Sequence, residues 1–405
     1  MKLTRPSPLL LAALVMAASG FIVIIVATRV LPEAERVDFL VYWSALYGVT
    51  GALAGVQNES SRALASTPSR NGGRVVALAL AVGLALGLGT AVTGIGWLPA
   101  LTRPDGLGLA LLLIAVAVTG YAGHNAAVGG FLGLGDSAGA AILIVAEAVT
   151  RLALFGIVAL IGWGLAGFWA ATALPMALWV LVLLLNGRLG RVWALRADEP
   201  TNRYLRNVAL AVLAGACTSV LVNGYPAVLR ATVSGEGVQG LDAVILAISL
   251  TRAPLLVPII SFQGAIVAFF VRQHAGLVSA LLKAMAVVWA LTTVVALGMG
   301  LLGPWVMGLL YPSVQPLTGI FMGLLAVGAG SIGSLVVATS VALARGRHGL
   351  FLAAWILTTA ASIAMLFLPL DVQSNVIISL AVGPVVGVVV ALTALAGRVR
   401  LDPPH

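Results

Sequence analysis

Arg252 stands in the middle of the apolar run AVILAISLTRAPLLVPIISFQGAIVAFF, long enough to cross a bilayer. A charge at membrane depth costs about 2.5 to 3.5 kcal/mol on insertion scales, so it turns toward protein or a wet cavity and finds a counter-charge or ligand. At 100° per residue Ser249, Arg252, Leu256, Ile259 and Gln263 share one face. That face is the first candidate substrate site, with Arg252 as the anion-binding group and Ser249 and Gln263 beside it. Pro254 and Pro258 follow within two turns and are expected to bend the helix. The second candidate is Glu147 with Arg151, acid first and one turn apart, the favourable order for an ion pair. Two readings of it stay open: a self-neutralised structural pair, or a proton-coupled carboxylate freed when Arg151 engages substrate. Glu59, with Arg62 three residues on, is a second ion-coupling candidate, although structure or topology accounts for that pair as well. His124 and Asn125 are polar residues on an otherwise apolar helix, read as a hydrogen-bonded packing pair.

Other chemistry is poorly represented. The four histidines are scattered, no phosphate-binding GxxxxGK[ST] loop occurs, and no outer loop is long enough for a catalytic lid. No metal site and no cofactor are expected, and the arrangement argues against an enzyme. Cys217 is the only cysteine, so no intrachain disulfide can form.

The elements that position these residues are membrane spans. Hydrophobic residues make up 61% of 405 positions and charged residues 9%, far from the globular balance. Spans need about 20 apolar residues, and twelve such segments lie between Leu9 and Leu395. The fold class is therefore all-α, a polytopic membrane protein. The longest polar stretch, NGRLGRVWALRADEPTNRYLR, divides the chain nearly in half. The expected organisation is a six-helix lobe over residues 1–190, a cytoplasmic linker over 191–206 and a second six-helix lobe over 207–405.

Weak internal echoes support the division. Helices two and eight sit at the same place in their halves, with Asp38 opposite Asp242 and Gln57 close to opposite Gln263. IGWLPALTRP before helix four parallels LGPWVMGLLYP before helix ten. Six helices per half makes the repeats parallel, and substrate sites of such transporters lie between the lobes. Gly83 with Gly87, Gly129 with Gly133 and Gly319 with Gly323 have helix-packing spacing. Trp97, Trp163 and Trp305 fall at outer turns, as an interfacial belt would.

The stretches ATRVLPEAERVDFLVYWSALYGVTGALAGVQNESSRALA, SLTRAPLL and LLGPWVMGLLYP resemble the polysaccharide-repeat and O-antigen (Wzx-type) flippases of the multidrug/oligosaccharidyl-lipid/polysaccharide (MOP) exporter superfamily. The resemblance implies two six-helix lobes around a cavity and translocation of a polyprenyl-pyrophosphate-linked oligosaccharide by alternating access. It also implies that Arg252 and Arg151 hold the pyrophosphate or acidic sugars, with H+ or Na+ as coupling ion if any is used. Alternatives are a cation-coupled multidrug exporter of the same superfamily, a lipid II flippase or, from another class, a polyprenyl-linked membrane glycosyltransferase. The multidrug reading wants acids and aromatics in the cavity, whereas the embedded charges Arg151, Arg252 and Glu147 sum to +1. The glycosyltransferase reading wants a sizeable loop with catalytic acids, whereas Asp38, Asp242 and Asp371 sit in short turns.

Sixteen of the 22 basic residues fall on one side if the N-terminus is cytoplasmic, which places both termini in the cytoplasm of a bacterial inner membrane. The net charge of +9 is then topology and attraction to membrane lipids rather than a nucleic-acid footprint. Reporters fused after Arg70, Arg196, Arg345 and His405 should read cytoplasm, and those after Glu33, Gly235 and Asp371 the outside. One reproducible inversion overturns the repeat.

Overall fold

A computed structural model describes residues 8–64, 72–98, 106–233, 240–261, 263–273, 276–345 and 347–399. Its helices are α1 (Pro8–Val30), α2 (Glu33–Ala52), α3 (Ala54–Leu64), α4 (Val75–Trp97), α5 (Leu107–Gly133), α6 (Ser137–Ile161), α7 (Gly164–Ala173), α8 (Trp179–Leu185) and α9 (Leu189–Trp193). They continue as α10 (Thr201–Val222), α11 (Tyr225–Thr232), α12 (Leu241–Ser261), α13 (Gln263–Arg272), α14 (Leu277–Leu310), α15 (Gly319–Ala344), α16 (His348–Met365), α17 (Val372–Ala381) and α18 (Gly383–Val399). Among the described residues no strand occurs, and all twelve expected segments are helical. Ten are long and apolar enough to span a bilayer, an eleventh is a bent pair, and Gly349–Met365 is a shorter apolar helix. The chain is a multi-pass membrane protein. Its outward faces are apolar, as lipid requires: Leu160 and Leu301 are 89% and 81% exposed. Trp163 and Trp305 are also exposed.

Several expected spans are broken, each for a local reason. The sixth is interrupted by a 3-10 turn at Leu174–Ala177 and bends by 48°. Pro175 lacks the N–H that would continue the α-helical ladder. The second carries a turn at Leu53, and the last breaks before Gly383 and Pro384. Pro254 and Pro258 both lie inside α12, which continues through them as helix. Both prolines lie on its exposed side, while Arg252, Leu255, Leu256 and Ile259 are buried, so the ladder bonds are lost where no neighbouring helix packs. Asp371 is the N-cap of α17. The Ser374 amide (3.0 Å) and hydroxyl (2.6 Å) donate to it and hold its carboxyl below the usual range.

Contacts group the chain into two compact units, Met1–Ala227 and Val228–His405. In the first, α5 is the central helix, packed by α2, α3, α4, α6 and α7. In the second, α15 has that place, packed by α12, α13, α14, α16, α17 and α18. These are the fourth helices of the two expected repeats. The paired glycines act as anticipated. Gly83 and Gly87 meet Ala122, Thr119 and Ala115 of α5, and Gly319 and Gly323 meet Gly300 and Ala296 of α14.

The polar stretch expected to be a linker is instead structured. It contains α9 and an antiparallel bridge from Arg196 to Arg74, with Val75 N donating to Leu195 O (3.0 Å) and Ala197 N to Gly73 O (3.1 Å). Helix seven starts at Thr201 rather than Asn207, with Pro200 as its N-cap. That helix, α10, opens the second half in sequence yet packs on α2 and α3 within the first unit.

The seam is made of small residues on both sides. Gly48 approaches Gly224, Gly51 lies on Ser219 and Asn223, Gly55 lies on the Ala211–Val212 backbone, and Gly215 lies on the Ala52 carbonyl. Ser44 donates to Asn223 O (2.6 Å) and Ser219 to Tyr47 O (3.2 Å). A methyl group at Gly55 would collide with the Ala211 carbonyl, whereas one at Gly89 of α4 meets nothing within 4 Å. Gly55→Ala should therefore cost about 1 to 3 kcal/mol through overpacking. Gly89→Ala should be neutral or stabilise by up to about 1 kcal/mol through helix propensity. Thermal unfolding of the purified variants checks the contrast.

Candidate functional site

Arg151 lies on α6, fourteen residues beyond Ser137 in a 25-residue helix, or about 21 Å along it. It is 1% exposed. Burial of so large a cation calls for partners at its donors, and four side chains meet its two terminal nitrogens, while Nε has no hydrogen bond. Nη1 donates to Glu147 Oε1 (3.1 Å) and to the Tyr47 hydroxyl on α2. Nη2 donates to Ser19 Oγ (2.6 Å) and meets Met16 Sδ (2.9 Å), both on α1. The guanidinium also lies 5.9 Å from the ring centroids of Trp43 and Tyr47, within cation–π range. Packing of α1 on α6 and of α2 near both brings these groups together, although they are over a hundred residues apart.

Glu147 has two neighbours. Oε1 faces Arg151, while Oε2 lies 3.7 Å from His124 Nε2 on α5. His124 is 3% exposed and stacks on Tyr121, with ring centroids 5.4 Å apart and 19° between planes. Asn125 donates to Tyr121 O (2.9 Å), the packing role expected of it. An aromatic layer of Phe39, Tyr42, Trp43, Phe155, Phe168 and Trp169 adjoins the Arg151 side, with ring centroids 5.3 to 6.4 Å apart.

In the second unit, Arg252 lies eleven residues into α12, about 16 Å along it, and is 6% exposed. Ser249 is one turn earlier and its hydroxyl donates to Ile245 O (3.0 Å), leaving its oxygen lone pairs to accept. Gln263, half-buried, is the first described residue of α13, and Phe262 before it lies outside the described residues. Asp38 and Asp242, the matched acids, are both buried at the starts of α2 and α12.

Two proteins from Mycobacterium tuberculosis (strain ATCC 25618 / H37Rv) match nearly end to end. Uncharacterized protein Rv1510 is 34% identical over 388 residues, covering 94% of this chain and 89% of that protein. Uncharacterized protein Rv3630 is 31% identical over 392 residues, covering 95% and 90%. The chain belongs to the Rv1510 and Rv3630 family. No model of a described protein family matches this member. Among solved structures it resembles the inward-facing form of a multidrug resistance MATE family transporter of the MOP superfamily. The TM-score is 0.68 at 16% identity, with 96% of each chain covered. It also resembles the Vibrio cholerae MATE transporter VcmN (TM-score 0.68, 15% identity, 98% and 95% covered). A MOP superfamily transporter from Pyrococcus furiosus, described as having a binding pocket of reversed polarity, matches at TM-score 0.62 and 17% identity over 97% of each chain. This Rv1510-family member has the MOP-superfamily transporter fold.

Glu59 sits apart from both clusters. In this family member Arg62 is held by Glu59 (2.6 Å), Glu199 (2.6 Å) and Asp198 (3.3 Å), and Glu199 also pairs with Arg203 (3.2 Å). The network fastens the end of α3 to the residues before α10. Sequence reasoning missed Asp198 and Glu199 because they lie 136 and 137 positions from Arg62. It also missed Tyr47, for which a signal existed: Trp43 and Tyr47 stand one turn apart on α2, with ring centroids 4.5 Å apart.

Removing one partner of the buried pair strands the other charge, at a cost of about 3 to 5 kcal/mol, while removing both does not. Glu147→Gln and Arg151→Gln should each lower stability or function more than the double variant does. A double-mutant cycle on melting temperature and transport reads this. A double variant that folds normally yet stays inactive assigns Glu147 to ion coupling.

Proposed function

We propose that this protein is a transporter rather than an enzyme, and that it flips an anionic amphiphile, a polyprenyl-pyrophosphate-linked oligosaccharide, across the inner membrane for cell-surface polysaccharide export. The observation that carries the reading is a buried arginine near mid-span in each unit, Arg151 on α6 and Arg252 on α12, in a chain with the MOP transporter fold. Arg252, with Ser249 one turn before it, is assigned the cargo-binding role, and Arg151, whose terminal nitrogens meet Glu147, Tyr47, Ser19 and Met16, a structural one. A guanidinium can hold two pyrophosphate oxygens at once, which a lysine ammonium does not match in geometry. Ser249 and Gln263 supply neutral polar contacts for the sugar-bearing end, and Arg62 with Glu59 serves as a fastening of helix ends. Both termini are assigned to the cytoplasm, with H+ as coupling ion.

A second reading, multidrug export, has its own support in the aromatic layer beside Arg151, whose flat faces suit planar cations. Reconstitution separates the two. Vesicles containing the protein should translocate a fluorescent polyprenyl-pyrophosphate glycan and should not move ethidium. Arg252→Ala should weaken glycan binding at least about tenfold, or about 1.4 kcal/mol, and Arg252→Lys should restore it only in part. Ethidium transport without glycan binding overturns the flippase reading in favour of drug export.

A further inference from the structure

His124 is the remaining titratable group at the core of the first unit, and its surroundings are those of a binding site rather than of a packing residue. A buried histidine that only packs has hydrogen-bond partners for its ring nitrogens. His124 Nδ1 is buried with no partner, and Nε2 faces Glu147 Oε2 at 3.7 Å, too far for a hydrogen bond. Glu147 Oε2 is itself buried and without a hydrogen-bond partner. One nitrogen of the ring and one oxygen of its neighbouring carboxylate are thus left without a hydrogen bond in the interior of a membrane span, where that is costly.

We propose that His124 is a proton-binding site of this transporter, with Glu147 as the counter-ion of the imidazolium and Arg151 as a fixed cation that is not titrated. The neutral ring carries one N–H and leaves the other nitrogen open, and the incoming proton binds at that nitrogen. No bond other than N–H forms, and none breaks. Once charged, the ring donates from both nitrogens, and the gap to Glu147 can close into a charge-assisted bond. The Tyr121 ring face stacked on the imidazole favours the same charged form.

The groups around it make the balance legible. Glu147 and Arg151 face it from α6, Tyr47 reaches the same cluster from α2, and Tyr121 is on its own helix. Of the other helices packed on α5, α2 also carries the charged residues Glu33, Glu35, Arg36 and Asp38, all in its first two turns and before Tyr47. α4 and α7 carry no ionisable side chain, and Glu59 and Arg62 of α3 are engaged with each other and the residues before α10. Burial and Arg151 oppose the imidazolium, and Glu147 favours it. With His124 neutral, the Glu147–Arg151 pair carries no net charge. Protonation leaves the cluster at +1. A lone positive charge in a low-dielectric interior calls for an anion, so proton uptake and binding of anionic cargo should favour one another, by the same factor in both directions. This coupling rests on the flippase reading above, whereas proton binding by His124 does not.

Ring-nitrogen NMR of the purified protein in lipid nanodiscs tests the site without any transport assay. With four histidines in the chain, His124→Gln identifies the resonance. In the unmodified protein the His124 signals should pass from the neutral to the imidazolium pattern as the pH is lowered. In Glu147→Gln the transition should move to lower pH by about one unit or more, because the carboxylate that favours the charged ring is gone. Vesicle transport of the glycan should lose its pH dependence over the range of that titration in His124→Gln at unchanged melting temperature. His124 signals that stay fixed from about pH 5 to 9 in folded protein overturn the site, whatever becomes of the Glu147 variant. Titration that proceeds normally while transport ignores pH leaves the proton site standing and overturns its link to cargo.

Discussion

Burying the Arg151 guanidinium is the constraint from which the first unit takes its form. An isolated cation at that depth is too costly to hold, so the surrounding helices must deliver acceptors to a few cubic ångströms. Helix α1 supplies Ser19 and Met16, α2 supplies Tyr47, and α6 supplies Glu147 from its own next turn. Apolar surfaces alone would let α1, α2 and α6 slide along one another in lipid, where no hydrophobic force sets register. The fixed lengths of these hydrogen bonds set it instead. The aromatic layer joins α2 and α6 to α7, and α5 brings His124 against the far oxygen of Glu147.

What one sequence revealed follows from what is local. Span positions, the Glu147–Arg151 pair and the small-residue contacts of Gly83, Gly87, Gly319 and Gly323 are all set within one or two turns, and each was legible. The partners that complete the site were not, because Ser19 and Tyr47 lie 132 and 104 positions from Arg151 and helical periodicity says nothing about which helix faces which. His124 was read as a packing residue for the same reason: its counter-charge sits on another helix. Pro254 and Pro258 each leave a ladder bond unmade, and both fall on the exposed side of α12, which continues through them as helix.

The repeat is clearer in packing than in residues. Helices α5 and α15 share few side chains, but each is the fourth helix of its half, each is the one that most of its unit packs around, and each meets its preceding helix through glycine. Shape is thus shared between the halves while the polar groups are not. Glu147, Arg151 and His124 belong to the first and Arg252 to the second.

The glycine seam between α10 and the α2–α3 pair carries a mechanical consequence. Because backbone meets backbone at Gly48, Gly55 and Gly215, and Gly51 meets only the short Ser219 and Asn223 side chains, few side chains interdigitate to let the helices part gradually. A joint of this kind is either shut or open. Parted, it would bare a shallow trough of carbonyls and the Ser44 and Ser219 hydroxyls, a surface that acyl chains wet poorly. Whatever filled that trough would have to bring hydrogen bonds of its own, as water and sugars do and lipid tails do not.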